Sequence, residues 1–314
     1  MDREKTYGLL LSRFPGIIVR DEPLSRHTTI QIGGPADLFC EVNSVKTLLP
    51  VLQSSCELRI PAVVIGGGSN LLVDDKGFRG LIVKFVNREP LYLDFPLLTV
   101  SAGQTLRELL EYTAEHSLSG LEFLAGIPGS VGGAVYMNAG AYGKTISELV
   151  RRAVIIGNDH ELQTVSPDFF QFNYRSSILH ACPRIVVSVT LEVSRGDASA
   201  IRKECERVIA VRAGKHPKPS VPCAGSYFKN LPPERPGENR RAAGYLLEQA
   251  GAKSMKIGGA GVYSEHANII INTGNATAQD VLELGKKMKK AVFEKYNIML
   301  EEEVRFLDAQ KGII

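Results

Sequence analysis

The 314-residue sequence predicts an α+β fold in about three pieces, and three observations carry that expectation. Runs rich in β-branched residues alternate with amphipathic helical patterns along the whole chain. The thirty glycines are not spread evenly, and two long clusters stand out among them. Prolines crowd into two irregular stretches, 214–222 and 231–238, and the first of these divides the last third of the chain from the two pieces before it.

Strand signals lie at 62–65, 80–83, 98–100, 184–187 and 268–271, where Val, Ile and Leu side chains suit a pleated, half-buried surface. A helix is expected over 105–116, with Leu106, Leu109 and Leu110 on one face and Thr105-x-x-Glu108 as a capping box. Another is expected over 197–212, aligning Ile201, Cys205, Val208 and Ile209. The third, over 277–296, aligns Val281, Leu284, Met288 and Val292 behind the box Thr277-x-x-Asp280. Its lysines 286, 287, 289 and 290 lie toward the C-terminal half, where the helix dipole favours cations, and read as a solvated face.

Composition narrows the function. Hydrophobic residues at 44% and charged residues at 23% are ordinary for a globular protein and exclude wholesale disorder. A net charge of +3 is too near balance to announce nucleic acid or a membrane surface as partner. The local stretch 202–218 gathers Arg202, Lys203, Arg207, Arg212, Lys215 and Lys218 against Glu204 and Glu206, which suits one anionic ligand better than a polyanion. No apolar run approaches the roughly 18 residues that span a bilayer, and Leu9-Leu10-Leu11 is too short for a signal-peptide core. Five cysteines, odd in number and without a C-x-x-C pair, argue against a disulfide framework or zinc site. The expectation is a cytoplasmic protein with no metal.

The first glycine cluster, Gly66-Gly67-Gly68-Ser69-Asn70-Leu71, follows a strand signal directly. The second runs from Gly126 through Gly129, Ser130, Gly132 and Gly133 to Gly143. Glycine lets consecutive N–H groups converge on a phosphate, although either cluster alone is more often a tight turn. Two in one chain favour a ligand with two phosphates or an extended shape. The familiar nucleotide motifs fail: a Rossmann pattern from Gly66 needs glycine where Leu71 stands, and a P-loop ending at Gly143-Lys144-Thr145 needs glycine where Asn138 stands.

Eight segments, in order, resemble the UDP-N-acetylenolpyruvoylglucosamine reductase family. They are 28–37 (TTIQIGGPAD), 66–70, 120–123 with 126–143, 173–177 (NYRSS), 224–230 (AGSYFKN), 243–246 (AGYL), 266–268 (HAN) and 300–304 (LEEEV). The resemblance implies an FAD-binding module of the PCMH/vanillyl-alcohol-oxidase type in two subdomains, 1–82 and 83–213. A C-terminal α+β substrate domain over 214–304 follows, and the tail 305–314 returns toward the first subdomain. It implies non-covalent FAD and NADPH as electron donor. The cofactor residues would be Gly66, Gly67, Gly68, Ser69, Asn70, Leu71, Gly126, Gly129, Ser130, Gly132, Gly133 and Arg212. Small molecules would be the only partners, and the chain is expected to be a monomer.

Three residues take catalytic roles in that resemblance. Ser226, by itself a turn serine, becomes the proton donor; so weak an acid serves only a strongly basic, enolate-like acceptor. Arg175, by default a surface arginine, meets the substrate carboxylate or the developing enolate with a permanently charged fork of donors. Glu303, inside the acidic run 301–303 that would ordinarily be solvated, takes the catalytic carboxylate position. Lys215, Lys229 and Asn230 would bind the UDP diphosphate, and Gln249 would make a polar substrate contact. His266 has no carboxylate or cysteine partner at ligand spacing and reads as structural.

Departures from the family pattern are Tyr263 where Ser is usual, Leu231-Pro232 after Asn230, and Leu307-Asp308 where Ile-Gly is common. The short span from Arg175 to Ser226 places the chain in the leaner branch, without an extra substrate-lid insertion. Two rival readings stand beside the reductase. One is an oxidase of the same fold, which often attaches its flavin to His or Cys, neither of which falls in 66–72. The other is a nucleotide-sugar binding protein that has lost turnover, against which the retention of Ser226, Arg175 and Glu303 argues.

Overall fold

The helix over Leu106–Glu115 starts at Thr105, whose hydroxyl accepts from the Glu108 N–H while the Glu108 carboxylate accepts from the Thr105 N–H. The same reciprocal box opens the helix Ala278–Tyr296, through Thr277 and Asp280. Each box contributes about 1 kcal/mol. Burying Val281, Leu284, Met288 and Val292, all at 1% exposure or less, contributes about 2 kcal/mol per side chain, so packing and not capping holds this helix. In a computed structural model, residues 3–235 and 237–314 are described; Met1, Asp2 and Pro236, the last inside the irregular stretch expected at 231–238, lie outside them.

The chain divides into two compact units. Unit 1 comprises 1–21, 37–67 and 80–212, and unit 2 comprises 22–36, 68–79 and 213–314. Unit 1 holds most of a four-stranded sheet in the order Ile18–Pro23, Pro35–Val42, Phe78–Phe85, Ala62–Ile65, with the last two parallel. It also contains a five-stranded antiparallel sheet in the order Leu162–Val165, Val150–Ile156, Ile185–Glu192, Leu97–Ser101, Tyr92–Asp94. One apolar cluster, from Tyr7 to Val208, forms the core of this unit. The helix Ala198–Ala213 buries Ile201 and Val208 but leaves Ile209 48% exposed, against expectation. Its neighbour there is Gly126, 3.5 Å from the Ile209 Cγ1 if given a Cβ, and a glycine offers no side chain to cover it.

Unit 2 holds an antiparallel sheet in the order Cys223–Ser226, Ile269–Asn272, Ala260–Val262, Lys256–Ile257. The chain's end adds a smaller sheet: Arg305–Asp308 runs parallel to Leu71–Val73 and antiparallel to Gly312–Ile313. Ile30, Ile32 and Leu72 join Phe228, Leu284 and Met288 in a single core, which explains why 22–36 and 68–79 fold with this unit. Of the four clustered lysines, Lys289 is drawn to Glu302 at 3.0 Å while the others stay exposed. Among the described residues, no helix is long and apolar enough to cross a membrane.

Candidate active site

In unit 1 the two glycine clusters touch. The strand Ala62–Ile65 delivers the chain into Gly66, where an added Cβ would lie 2.3 Å from the Ser130 hydroxyl. At Gly67 it would lie 3.4 Å from the Cα of Gly129. Side chains at either position would drive the loops apart, so the glycines are there for close approach. The Ser130 hydroxyl also accepts from the Gly133 N–H at 3.2 Å and caps the short helix Val131–Tyr136.

The main-chain amides of these two loops are of two kinds. Val131 donates to the Gln104 carbonyl, Gly132 to the Ala102 carbonyl, and Gly133 to Ser130, so their amides are engaged within the fold. Among the described residues, no backbone carbonyl accepts from Gly66, Gly67, Gly126, Gly129 or Ser130. Those five amides, on two loops that meet, are suited to acceptor oxygens such as a diphosphate carries.

Arg175 stands at the tip of a turn closed by mutual backbone hydrogen bonds between Asn173 and Ser176. Its φ of 50° lies in the left-handed region, which a non-glycine residue adopts at a cost. Buried Asn138 holds the turn by donating to the Asn173 carbonyl at 3.0 Å. The Arg175 guanidinium donates to the Gly140 carbonyl at 2.7 Å and covers the Tyr174 ring. Arg212, half-buried, packs its side chain against Gly126, and among the described residues its Nε has no acceptor. Burial lowers its pKa, with the Arg175 charge adding to the effect and Tyr142 opposing it. Two arginines and the second glycine loop therefore form an electropositive region of unit 1 that favours an anion.

In unit 2 the first cluster continues. Gly68 has φ +62°, and a Cβ there would meet the His27 carbonyl oxygen at 2.0 Å, so only glycine fits. Ser69 follows, then Asn70, whose side-chain amide donates to the Glu303 carbonyl at 3.0 Å. Leu71 is buried and pairs with Arg305.

Ser226 is placed by a β-bulge. Cys223 pairs with Ile271 and Ser226 with Ile269, so three steps on one strand oppose two on the other. The extra residue is absorbed at Gly225, with φ +77°, and such a bulge re-aims the side chain that follows it. Buried Asn268 secures the next residues, donating to the Phe228 carbonyl at 2.8 Å and accepting its N–H at 2.9 Å. The Tyr227 carbonyl accepts from Glu303 at 2.8 Å, and Lys229 donates its N–H to the Glu301 carbonyl at 2.8 Å. Segments 226–229 and 301–304 thus run side by side. The Tyr227 ring fits over Gly285 of the long helix, where a Cβ would approach within 2.5 Å.

Three of the other expected substrate residues, Lys229, Asn230 and Gln249, have partners inside unit 2. The Lys229 ammonium pairs with Glu301. The Asn230 side-chain oxygen accepts from the Ala243 N–H at 3.1 Å, capping the helix Ala243–Gln249, whose own N-cap is an alanine. Gln249 ends that helix with an exposed side chain and receives Lys295 on its carbonyl. Lys215 is exposed. His266 accepts from the Asn268 N–H through Nδ1 and stacks on His216 with ring centroids 5.7 Å apart. Burial, reinforced by Lys215 and Lys253, holds its pKa below the usual histidine value. His216 and Tyr142 escaped the sequence reading, since no spacing links either to its neighbours in space.

Residues 216–307 match the family described as UDP-N-acetylenolpyruvoylglucosamine reductase, C-terminal domain, and residues 36–166 match an FAD binding domain. The UDP-N-acetylenolpyruvoylglucosamine reductase of Anoxybacillus flavithermus is 39% identical over 97% of this chain and 99% of its own. That of Bacillus subtilis is 38% identical over 98% of this chain and all of its own. The crystal structure of the Thermus caldophilus enzyme of the same name aligns with a TM-score of 0.76 at 33% identity, covering 92% of this chain and 98% of that one. The expected α+β fold with an FAD-binding module is therefore the one found. The five open amides, the glycine cradle and the unpartnered Arg212 Nε fit an FAD diphosphate.

Proposed function

The chain belongs to the UDP-N-acetylenolpyruvoylglucosamine reductase family, and from that premise we propose that it reduces UDP-N-acetylglucosamine enolpyruvate to UDP-N-acetylmuramate in the cytoplasmic stage of peptidoglycan, and hence cell-wall, synthesis. FAD, held non-covalently, would supply the hydride-transfer chemistry between NADPH as electron donor and the enolpyruvyl double bond. Gly66, Gly67, Gly126, Gly129 and Ser130 offer it their main-chain N–H groups. Gly68, Ser69, Asn70 and Leu71 continue the first loop, Gly132 and Gly133 serve by close packing, and Arg212 gives its charge. The partners assigned here are small molecules acting on a monomer.

Hydride addition to the far carbon of the double bond leaves charge on the carbon beside the carboxylate. Ser226 donates its proton there; a hydroxyl can do so because an enolate is a far stronger base than water. Arg175 stabilises the same charge through the carboxylate. Glu303 supplies a carboxylate through which the hydroxyl can recover its proton. Lys215, Lys229 and Asn230 bind the diphosphate, for which Lys229 exchanges Glu301 and Asn230 uses the amide nitrogen left over from its capping bond. Gln249 adds a polar contact.

The observation that supports this reading is the pairing of 227–229 with 301–304, with Ser226 immediately before the first segment and Glu303 within the second, in one unit. Mass spectrometry of a reaction containing the enolpyruvyl substrate tests it. A product heavier by two hydrogen atoms, formed only when NADPH is present, is the expected result. An unchanged substrate in the flavin-loaded protein would overturn the assignment.

A further inference from the structure

We propose that Asn70 is a positioning residue for Glu303, a role resting on the reading of Glu303 as the catalytic carboxylate. Glu303 precedes the strand Arg305–Asp308 and belongs to no regular strand itself, so the ladder does not hold it in place. Its backbone is instead gripped from two sides. The Tyr227 carbonyl accepts its N–H at 2.8 Å, and the Asn70 amide nitrogen donates to its carbonyl at 3.0 Å. The Asn70 carbonyl in turn accepts from Arg305 at 3.0 Å, so one asparagine clips 303 and 305 together.

The chemistry of the clip selects asparagine. A carbonyl acceptor calls for a donor, and a carboxamide of this length supplies one while staying neutral. Aspartate in its place would face oxygen to oxygen. The side chain is thereby occupied, and what Asn70 retains for a cofactor is its main-chain N–H, which meets no backbone carbonyl among the described residues. A role in cofactor binding and a role in placing Glu303 are therefore separable by mutation, because side-chain changes leave the N–H.

The test uses full-length, flavin-loaded protein and the variants Asn70→Ala, Asn70→Asp, Glu303→Gln and the double variant Asn70→Ala/Glu303→Gln. For both Asn70 variants, flavin content and the rate of bleaching by NADPH are expected to stay within about twofold of the parent, while reoxidation by the enolpyruvyl substrate slows by about tenfold or more through misplacement of the carboxylate. kcat falls with little change in KM. In the Glu303→Gln background, Asn70→Ala should slow reoxidation no further. Loss of flavin in both Asn70 variants, equal slowing of both half-reactions, or the same slowing with and without Glu303 would each overturn the proposal. If Glu303→Gln itself leaves reoxidation unchanged, the reading of Glu303 fails first, and the Asn70 role falls with it.

Discussion

Gly66 and Ser130 occupy each other's space so closely that a single methyl group on Gly66 would stand 2.3 Å from the serine hydroxyl. That hydroxyl is already the cap of the helix Val131–Tyr136. Gly66→Ala must therefore push it off the Gly133 N–H and cost about 1 kcal/mol or more. Once Ser130→Ala has removed the hydroxyl, the nearest atom is the Ser130 Cβ at 3.3 Å, which a small shift relieves. Urea unfolding of the two single variants and the double should show a coupling of about 1 kcal/mol, the double being little worse than Ser130→Ala. Additive losses would deny the contact.

Ser226→Ala tests the proposed proton transfer separately from hydride supply. NADPH should still bleach the flavin at close to the parent rate, whereas reoxidation by the enolpyruvyl substrate should fall by about 100-fold or more. Stopped-flow absorbance reads both steps. Equal slowing of the two would remove Ser226 from the role of proton donor.

Arg212→Gln keeps most of the side chain's length but removes the charge set against Gly126. A charged hydrogen bond to the cofactor is worth about 1.5 kcal/mol or more. Flavin affinity, followed by fluorescence on titrating FAD into stripped protein, should fall about tenfold. Unchanged affinity would assign the arginine to packing alone.

His266 gives a pH prediction. Its pKa is lowered in the fold, so the unfolded chain binds the proton more readily between the folded value and the ordinary value near 6.5. Stability from this group is present above about pH 6.5 and is lost as pH falls through the folded pKa. The melting temperature of the parent should therefore drop more steeply on acidification below about pH 6.5 than that of His266→Gln. Parallel melting curves would contradict the lowered pKa of this half-buried ring.

Much of this molecule was legible from sequence because its signals are local. The boxes at Thr105 and Thr277, the apolar stripe of 277–296 and the strand signal at 62–65 each lie within a few residues and formed as expected. What escaped depends on partners far along the chain. Gly132 and Gly133 look like the open glycines until Ala102 and Ser130 are seen to take their amides. Asn230 caps a helix that begins thirteen residues later. Lys229 reaches Glu301, and Asn70 reaches a carbonyl 233 positions away. Spacing rules carry no information about such pairs, because a hydrogen bond across the fold leaves no period in the sequence.

NADPH is expected to reduce the bound flavin, and the enolpyruvyl sugar nucleotide to reoxidise it. An anaerobic absorbance trace tests this most directly, with NADPH added first and UDP-N-acetylglucosamine enolpyruvate second. The expected result is a yellow protein that bleaches and then recovers its colour. Bleaching without recovery, or a protein that takes up no flavin at all, would contradict it.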